Sequence, residues 1–68
     1  MITFEPLWET MKSKHISSYA LINKYGISRS LWAKLKHDKN VTLQTVDRLC
    51  EILDCDIVDI VRRVPDAE

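Results

Sequence analysis

Small and basic side chains dominate residues 28–39, where the only acid is Asp38, near the end of the segment. An arginine side chain can donate two parallel hydrogen bonds to a guanine edge, and serine and alanine fit beside base edges and thymine methyl groups. These side-chain types therefore predict direct contact with DNA bases. The candidates for base contacts are Ser28, Arg29, Ser30, Ala33 and Lys34.

Six further side chains are candidates for contact with the DNA backbone. Phosphate oxygens accept hydrogen bonds from lysine and serine, and from the N–H groups at helix N-termini. For any one lysine an ordinary solvated charge is an equally good interpretation, but several on a shared face favour a binding surface. The backbone candidates are Ser17, Ser18, Lys24, Lys36, His37 and Lys39.

The distribution of charge is compatible with a polyanionic partner, although the formal net charge is zero. Residues 11–40 hold seven lysines and arginines and one acid, a net +6, whereas the rest of the chain holds three basic residues and nine acids, a net −6. A polyanion responds to the local potential, so a neutral protein can still present a basic face to DNA. Solvated helix faces that segregate by chance are the alternative.

A short helix and a tight turn are predicted to come before the base-contact candidates. Ser17 or Ser18 is a suitable N-cap for a helix over about 18–25. Gly26, the only glycine, follows where a helix needs a left-handed residue in order to end. Ile27 is then expected to enter the core.

The second helix of this pair is predicted over about 29–37, with Ser28 as its N-cap. Its Trp32 and Leu35 are spaced to face the core, which leaves the small and basic side chains on the opposite face. The outline is a helix-turn-helix unit over about 18–37. Residues near the N-terminus of its second helix would reach deepest into a major groove.

Three more helices are predicted to support this unit. The first covers about 5–14, the fourth follows the cap Thr42 and ends near Leu53, and the fifth covers about 57–63. The segment from Asp54 to Asp56 would end the fourth helix and cap the fifth. The side chains expected on the buried faces of these helices are Phe4, Leu7, Trp8, Met11, Leu43, Val46, Leu49, Cys50, Leu53, Ile57, Ile60 and Val61.

The predicted fold is all-α, a compact bundle of five short helices in a single domain over residues 1–68. Residues 1–4 are expected to form an extended lead-in and residues 66–68 a tail, with no convincing pair of strands. Composition agrees with a folded protein, since 46% of the residues are hydrophobic and 29% are charged.

These residues resemble the Cro/C1-type helix-turn-helix family of phage repressors and small bacterial regulators. The resemblance implies a lambda repressor-like fold and a sequence-specific, double-stranded DNA-binding transcriptional regulator, with its second helix across the backbone and its third in the major groove. It covers about residues 18–61, and the spacing from the glycine is its most specific part. The matching features are Leu21, the turn 26–28, Trp32, Leu35, the segments 40–43 and 49–53, and Asp59-Ile60.

Two copies of the chain are expected on DNA, because a single short helix contacts too few base pairs for strong selectivity. The acidic, partly apolar helices 4 and 5 are the predicted dimer surface. The alternative function is a protein-interaction module, such as an antitoxin-like or anti-repressor partner, that keeps the bundle without binding DNA. Its working surface would be the acidic segment 47–59, whereas the basic helix 3 favours DNA.

The sequence gives little support for catalysis, metal binding or redox chemistry. One glycine cannot form a phosphate-binding loop, and no nucleophile set or metal-ligand spacing is present, so we expect no enzyme activity, cofactor, metal site or small-molecule ligand. Cys50 and Cys55 are interpreted as small buried hydrophobes, with a redox switch as the residual alternative. Without a membrane-length apolar run or a signal segment, a cytoplasmic protein is expected.

Overall fold

The computed structural model describes residues 1–65, which form four α-helices, one 3₁₀ helix and a two-stranded sheet. The predicted tail at residues 66–68 lies outside the described part. In chain order the elements are β1 (Ile2–Thr3), α1 (Glu5–Ser13), α2 (Ser18–Asn23), α3 (Arg29–Lys36), α4 (Leu43–Leu53), the 3₁₀ helix (Ile57–Asp59) and β2 (Arg62–Arg63).

The core is a single cluster of apolar side chains supplied by the four α-helices and by residues just outside the helices. No polar or charged side chain is buried among the described residues, so burial of apolar surface is the main force holding the helices together. Its members, each at most 6% exposed, are Phe4, Leu7, Met11, Leu21, Ile27, Leu35, Val46, Leu49, Leu53 and Ile60.

The predicted N-caps of α2, α3 and α4 are confirmed. Ser17 accepts a hydrogen bond from the backbone N–H of Ala20 at 3.1 Å, which settles the choice between Ser17 and Ser18. Ser28 Oγ and Thr42 Oγ1 likewise accept from the N–H groups three residues on, at 3.0 and 3.1 Å. These caps fix where the helices begin, because each satisfies an N–H group that has no partner within its helix.

Left-handed residues mark the ends of all four α-helices. Gly26 has φ +77° after α2, and His15, Asp38 and Asp54 have φ of +58°, +53° and +50° after α1, α3 and α4. After α1, α3 and α4 the next N–H bonds back to a carbonyl five residues earlier, at 2.8 to 3.0 Å. This pattern lets the chain reverse while the last helical carbonyls stay bonded.

The predicted fifth α-helix and the predicted absence of a strand pair are both wrong. Residues 57–63 form one turn of 3₁₀ helix, started by the Asp56 side chain, and then the extended strand β2. β2 pairs antiparallel with β1, Ile2 opposite Arg63 and Thr3 opposite Arg62. The β-branched residues of this segment suit an extended backbone, and pairing with the N-terminus supplies hydrogen bonds that a longer helix would otherwise provide.

Two side chains predicted to be buried are exposed. Leu43 is 78% exposed and Ile57 is 44% exposed, because each is the first residue of its helix and lies beyond the edge of the core. Trp8, Cys50 and Val61 are only half-buried. The stripe on α4 is therefore shorter at its N-terminal end than the spacing of its apolar residues predicts.

Candidate nucleic-acid interface

The turn between α2 and α3 is fixed from inside by apolar contacts and backbone hydrogen bonds. Leu21 and Ile27 are both buried, and the N–H of Ile27 donates to the carbonyl of Leu21 at 3.0 Å. Ile27 therefore enters the core directly after the glycine, as predicted. This contact sets the position of α3 relative to α2.

Arg48, on α4, holds the same turn from outside. Its Nη2 donates to the carbonyl oxygen of Tyr25 at 2.6 Å. A Cβ at Gly26 would lie 3.3 Å from that nitrogen, so the lack of a side chain there helps Arg48 to reach the carbonyl. This role of Arg48 was not predicted from the sequence. The available signal was that Arg48 is the only basic residue in the acidic segment 47–59.

The inner face of α3 packs on the core and on α1. Leu35 is fully buried, and the half-buried Trp32 meets Trp8 edge to face, with ring centroids 5.3 Å apart and ring planes at 79°. Aromatic pairs favour this arrangement. Because these apolar side chains lie on one side of α3, the helix presents its opposite side outward.

All five candidates for base contact are exposed at the start and on the outer side of α3. The positions 29, 30, 33 and 34 lie on one face, as the helical repeat requires. We call the exposed residues Arg29, Ser30, Ala33, Lys34, Lys36 and His37 the basic face. Ser28, at the cap, uses its oxygen to accept from Leu31, and its hydroxyl proton stays available for donation.

Of the backbone candidates, Lys36 and His37 belong to this face, and the others lie in α2 or in the turns next to α2 and α3. Ser17, Lys24, Lys36, His37 and Lys39 are exposed, whereas Ser18 is half-buried. Lys24 Nζ lies 5.6 Å from the centroid of the Tyr25 ring, a cation–π contact that keeps the ammonium near the turn. Within residues 1–65, no acid forms an ion pair with the lysines and arginine of this region, which are Lys24, Arg29, Lys34, Lys36 and Lys39.

Asp38, the acid that follows the basic face, is bonded to the N-terminal segment. Its Oδ1 accepts from the backbone N–H of Phe4 at 2.8 Å and from Thr3 Oγ1 at 3.5 Å. Phe4 is the N-cap residue of α1 and its own side chain makes no capping bond, so Asp38 acts there from across the fold. The carboxylate therefore links the end of α3 to the start of α1, and it forms no ion pair with the basic residues within residues 1–65.

The basic segment defined by sequence is larger than the basic surface. Lys14 Nζ donates to the carbonyl of Asp54 at 3.3 Å, and thus binds the C-terminal end of α4. Residues 18–40, without Lys12 and Lys14, hold five basic residues and one acid, a net +4. This net charge of +4 is carried by α3 and the turns on either side of it.

Polar residues between α3 and α4 extend the candidate interface. A shallow groove of about 350 Å³ there is lined by Lys34 together with Asn40, Thr42 and Thr45. The hydroxyl oxygens of Thr42 and Thr45 lie 3.1 Å apart. No binding role was predicted for Asn40 or Thr45. Asn40 lies in the turn that follows α3, whereas Thr45 is beside Lys34 only because the first turn of α4 lies next to α3.

The two cysteines lie together at the C-terminal end of α4, as free, half-buried thiols. Burial raises the pKa of Cys55 to about 11, with Cys50 and Asp59 adding to the effect. Burial also raises the pKa of Cys50, partly offset by its hydrogen bond with Cys55. Thiols with raised pKa values are poor nucleophiles at neutral pH, which favours the packing interpretation over a redox switch.

The fold and its basic face define a helix-turn-helix domain. The chain belongs to the family of Cro/C1-type helix-turn-helix DNA-binding domains, which it matches over residues 6–66, and the resemblance drawn from the sequence is confirmed. The crystal structure of the transcriptional regulator VanUg, form II, is similar: 31% identity, a TM-score of 0.85, and coverage of 96% of this chain and 87% of that chain.

Comparison with curated protein sequences finds no significant match. Within residues 1–65, no helix has both the length and the apolar character needed to cross a membrane.

Proposed function

We propose that this protein is a sequence-specific, double-stranded DNA-binding transcriptional regulator, and that residues 1–68 act as one DNA-binding domain. The observation that carries the proposal is the basic face of α3, whose lysines and arginine have no acidic partner within residues 1–65. Family membership and the likeness to a transcriptional regulator support it. An unpaired cationic helix face matches the phosphates and base-edge acceptors of a major groove.

In the proposed complex the N-terminal half of α3 enters the major groove. Arg29, in the first turn, donates two hydrogen bonds to a guanine, while Ser28, Ser30, Ala33 and Lys34 meet neighbouring base edges. Side chains at the C-terminal end of α3 and in the neighbouring elements bind phosphates and so set the register of the helix in the groove. These backbone contacts come from Ser17, Ser18, Lys24, Lys36, His37 and Lys39, joined by Asn40 and Thr45.

The proposed working form is a homodimer. α3 has eight residues, so one copy reads only a few base pairs. Two copies on a two-fold site double the number of base contacts and fix the distance between half-sites. This requirement concerns selectivity, since the phosphate contacts of a single copy suffice for weak binding to any duplex.

Titration of duplex DNA at rising salt concentration tests the phosphate contacts. Each neutralised phosphate contributes a slope of about −0.9 to the plot of log affinity against log salt. Replacing a phosphate-binding lysine, as in Lys36→Ala, should weaken binding to all sequences alike and reduce the slope by about one. Absence of duplex binding at low salt would instead favour the interaction-module alternative.

Arg29→Ala tests base reading in the same assay. It should weaken the preferred site by about 1–3 kcal/mol and random duplex far less. Arg63→Ala is the matched control, because Arg63 is an exposed arginine on β2, outside the helix-turn-helix unit. An equal loss on both duplexes for Arg29→Ala would show that Arg29 reads no bases.

A further inference from the structure

A groove with largely apolar walls lies beside the C-terminal end of α3. Its volume is about 540 Å³, and its walls come from β1, the loop between α3 and α4, the first turns of α4 and the 3₁₀ helix. Four exposed apolar side chains line it: Met1 at 58%, Ile2 at 50%, Leu43 at 78% and Ile57 at 44% exposure. So much exposed apolar surface in one place typically marks an interaction site.

The surface is shaped to receive a copy of itself. Leu43 begins α4 and stands almost clear of its own chain, while the groove beside it also contains the buried side chains of Phe4 and Val46. The same patch thus offers a protruding apolar side chain and an apolar hollow. A two-fold interface requires both on one surface, because each copy must supply to its partner what it receives.

The charges on the groove also fit a second copy. Asp38 and Lys39 are adjacent and both line it. Across a two-fold axis, the lysine of each copy can face the aspartate of the other, which gives attraction at two equivalent places. For a partner of a single charge sign, such as nucleic acid or an acidic peptide, the attraction to one of the two residues is offset by repulsion from the other.

We propose that this groove is the homodimer interface, with Leu43 of each copy seated in the groove of the other. The inference rests on the proposed function, in which selective DNA binding requires two copies of the chain. It differs from the broad expectation of helices 4 and 5 by placing the contact at the N-terminal end of α4 and at β1. Because the groove adjoins the C-terminal end of α3, residues 28–30 stay uncovered in both copies.

Sedimentation equilibrium of the full chain, wild type and two variants, tests the interface. Leu43→Glu places a charge in the groove, and an acid in the first turn of α4 favours the helix, so the variant should keep its fold, which circular dichroism checks. Val58→Glu is the matched control, since Val58 is 70% exposed in the 3₁₀ helix and does not line the groove.

The wild type and Val58→Glu should dimerise equally. Leu43→Glu should weaken dimerisation by about a hundredfold, because each of the two copies loses one apolar contact worth about tenfold. Equal dimerisation of Leu43→Glu and the wild type would overturn the inference. A monomeric wild type would also overturn it, by leaving the groove to a different occupant.

A duplex-binding measurement on the same samples separates this inference from the proposed function. Dimers that depend on Leu43 but bind no DNA would support the interface and contradict the function. A wild type that binds its DNA site as a monomer would support the proposed function and contradict the interface. If both proposals hold, Leu43→Glu binds non-specific duplex with nearly wild-type affinity and loses the preference for a two-fold site.

Discussion

At the turn between α2 and α3, one glycine and one arginine determine how the two helices meet. Gly26 adopts φ +77°, and Arg48 donates to the carbonyl of the residue before it. The glycine was predictable, because the need for a left-handed residue at the end of a helix is local in sequence. Arg48 was not, since it lies 23 residues from Tyr25 and its contact depends on how α4 packs.

Gly26→Ala is expected to lower the free energy of unfolding by about 1–2 kcal/mol. The left-handed backbone is strained for alanine, and the new Cβ would press on Arg48. Gly26→Asn should cost less, because asparagine tolerates this backbone conformation. Urea unfolding of the two variants and the wild type measures the difference. Equal stability of Gly26→Ala and the wild type would contradict the account of this turn.

Among the elements, α1 and α3 are joined by a hydrogen bond that no local pattern could reveal. Asp38 follows the end of α3 and accepts from the N–H of Phe4 at the start of α1. The caps supplied by Ser17, Ser28 and Thr42 were predictable, because each acts on an N–H three residues away. The bond between Asp38 and Phe4 joins residues 34 positions apart. From the sequence, Asp38 could be predicted only as part of a polar turn.

Asp38→Ala should destabilise the fold more than Asp54→Ala does, by about 1 kcal/mol. Both residues have a left-handed backbone at a helix end, so the cost of alanine in that conformation cancels in the comparison. Of these two residues, only Asp38 has a side-chain hydrogen bond within residues 1–65. Urea unfolding of both variants gives the difference directly, and equal losses would mean that the bond to Phe4 adds nothing to stability.

The small sheet shows why the two ends of the chain were predicted less well than its middle. Helices α1 to α4 follow from periodic apolar positions and local caps, and their bounds agree with prediction to within two residues. β1 and β2 have two residues each and pair across about 60 positions. Strands this short carry no alternating pattern, and their pairing follows only after the helices pack.

Over the whole molecule, the division of charge matters more than its total. Net charge is zero, yet residues 18–40 carry +4 on α3 and its neighbouring turns, and most acids lie beyond them. The face of α3 was predictable, because helical spacing alone places Arg29, Ala33 and Lys34 together. Thr45 was not predictable, since it joins the candidate interface only through the position of α4 beside α3.

Selection of bound duplexes from a random pool tests whether the basic face of α3 reads a specific DNA sequence. A regulator that reads DNA through the basic face of two α3 helices should enrich one sequence. That sequence should contain two half-sites related by a two-fold axis, with centres about 10 base pairs, or one helical turn, apart. Duplexes retained without any enriched sequence, or no retained duplexes at low salt, would contradict the assignment of this chain as a sequence-specific DNA-binding regulator.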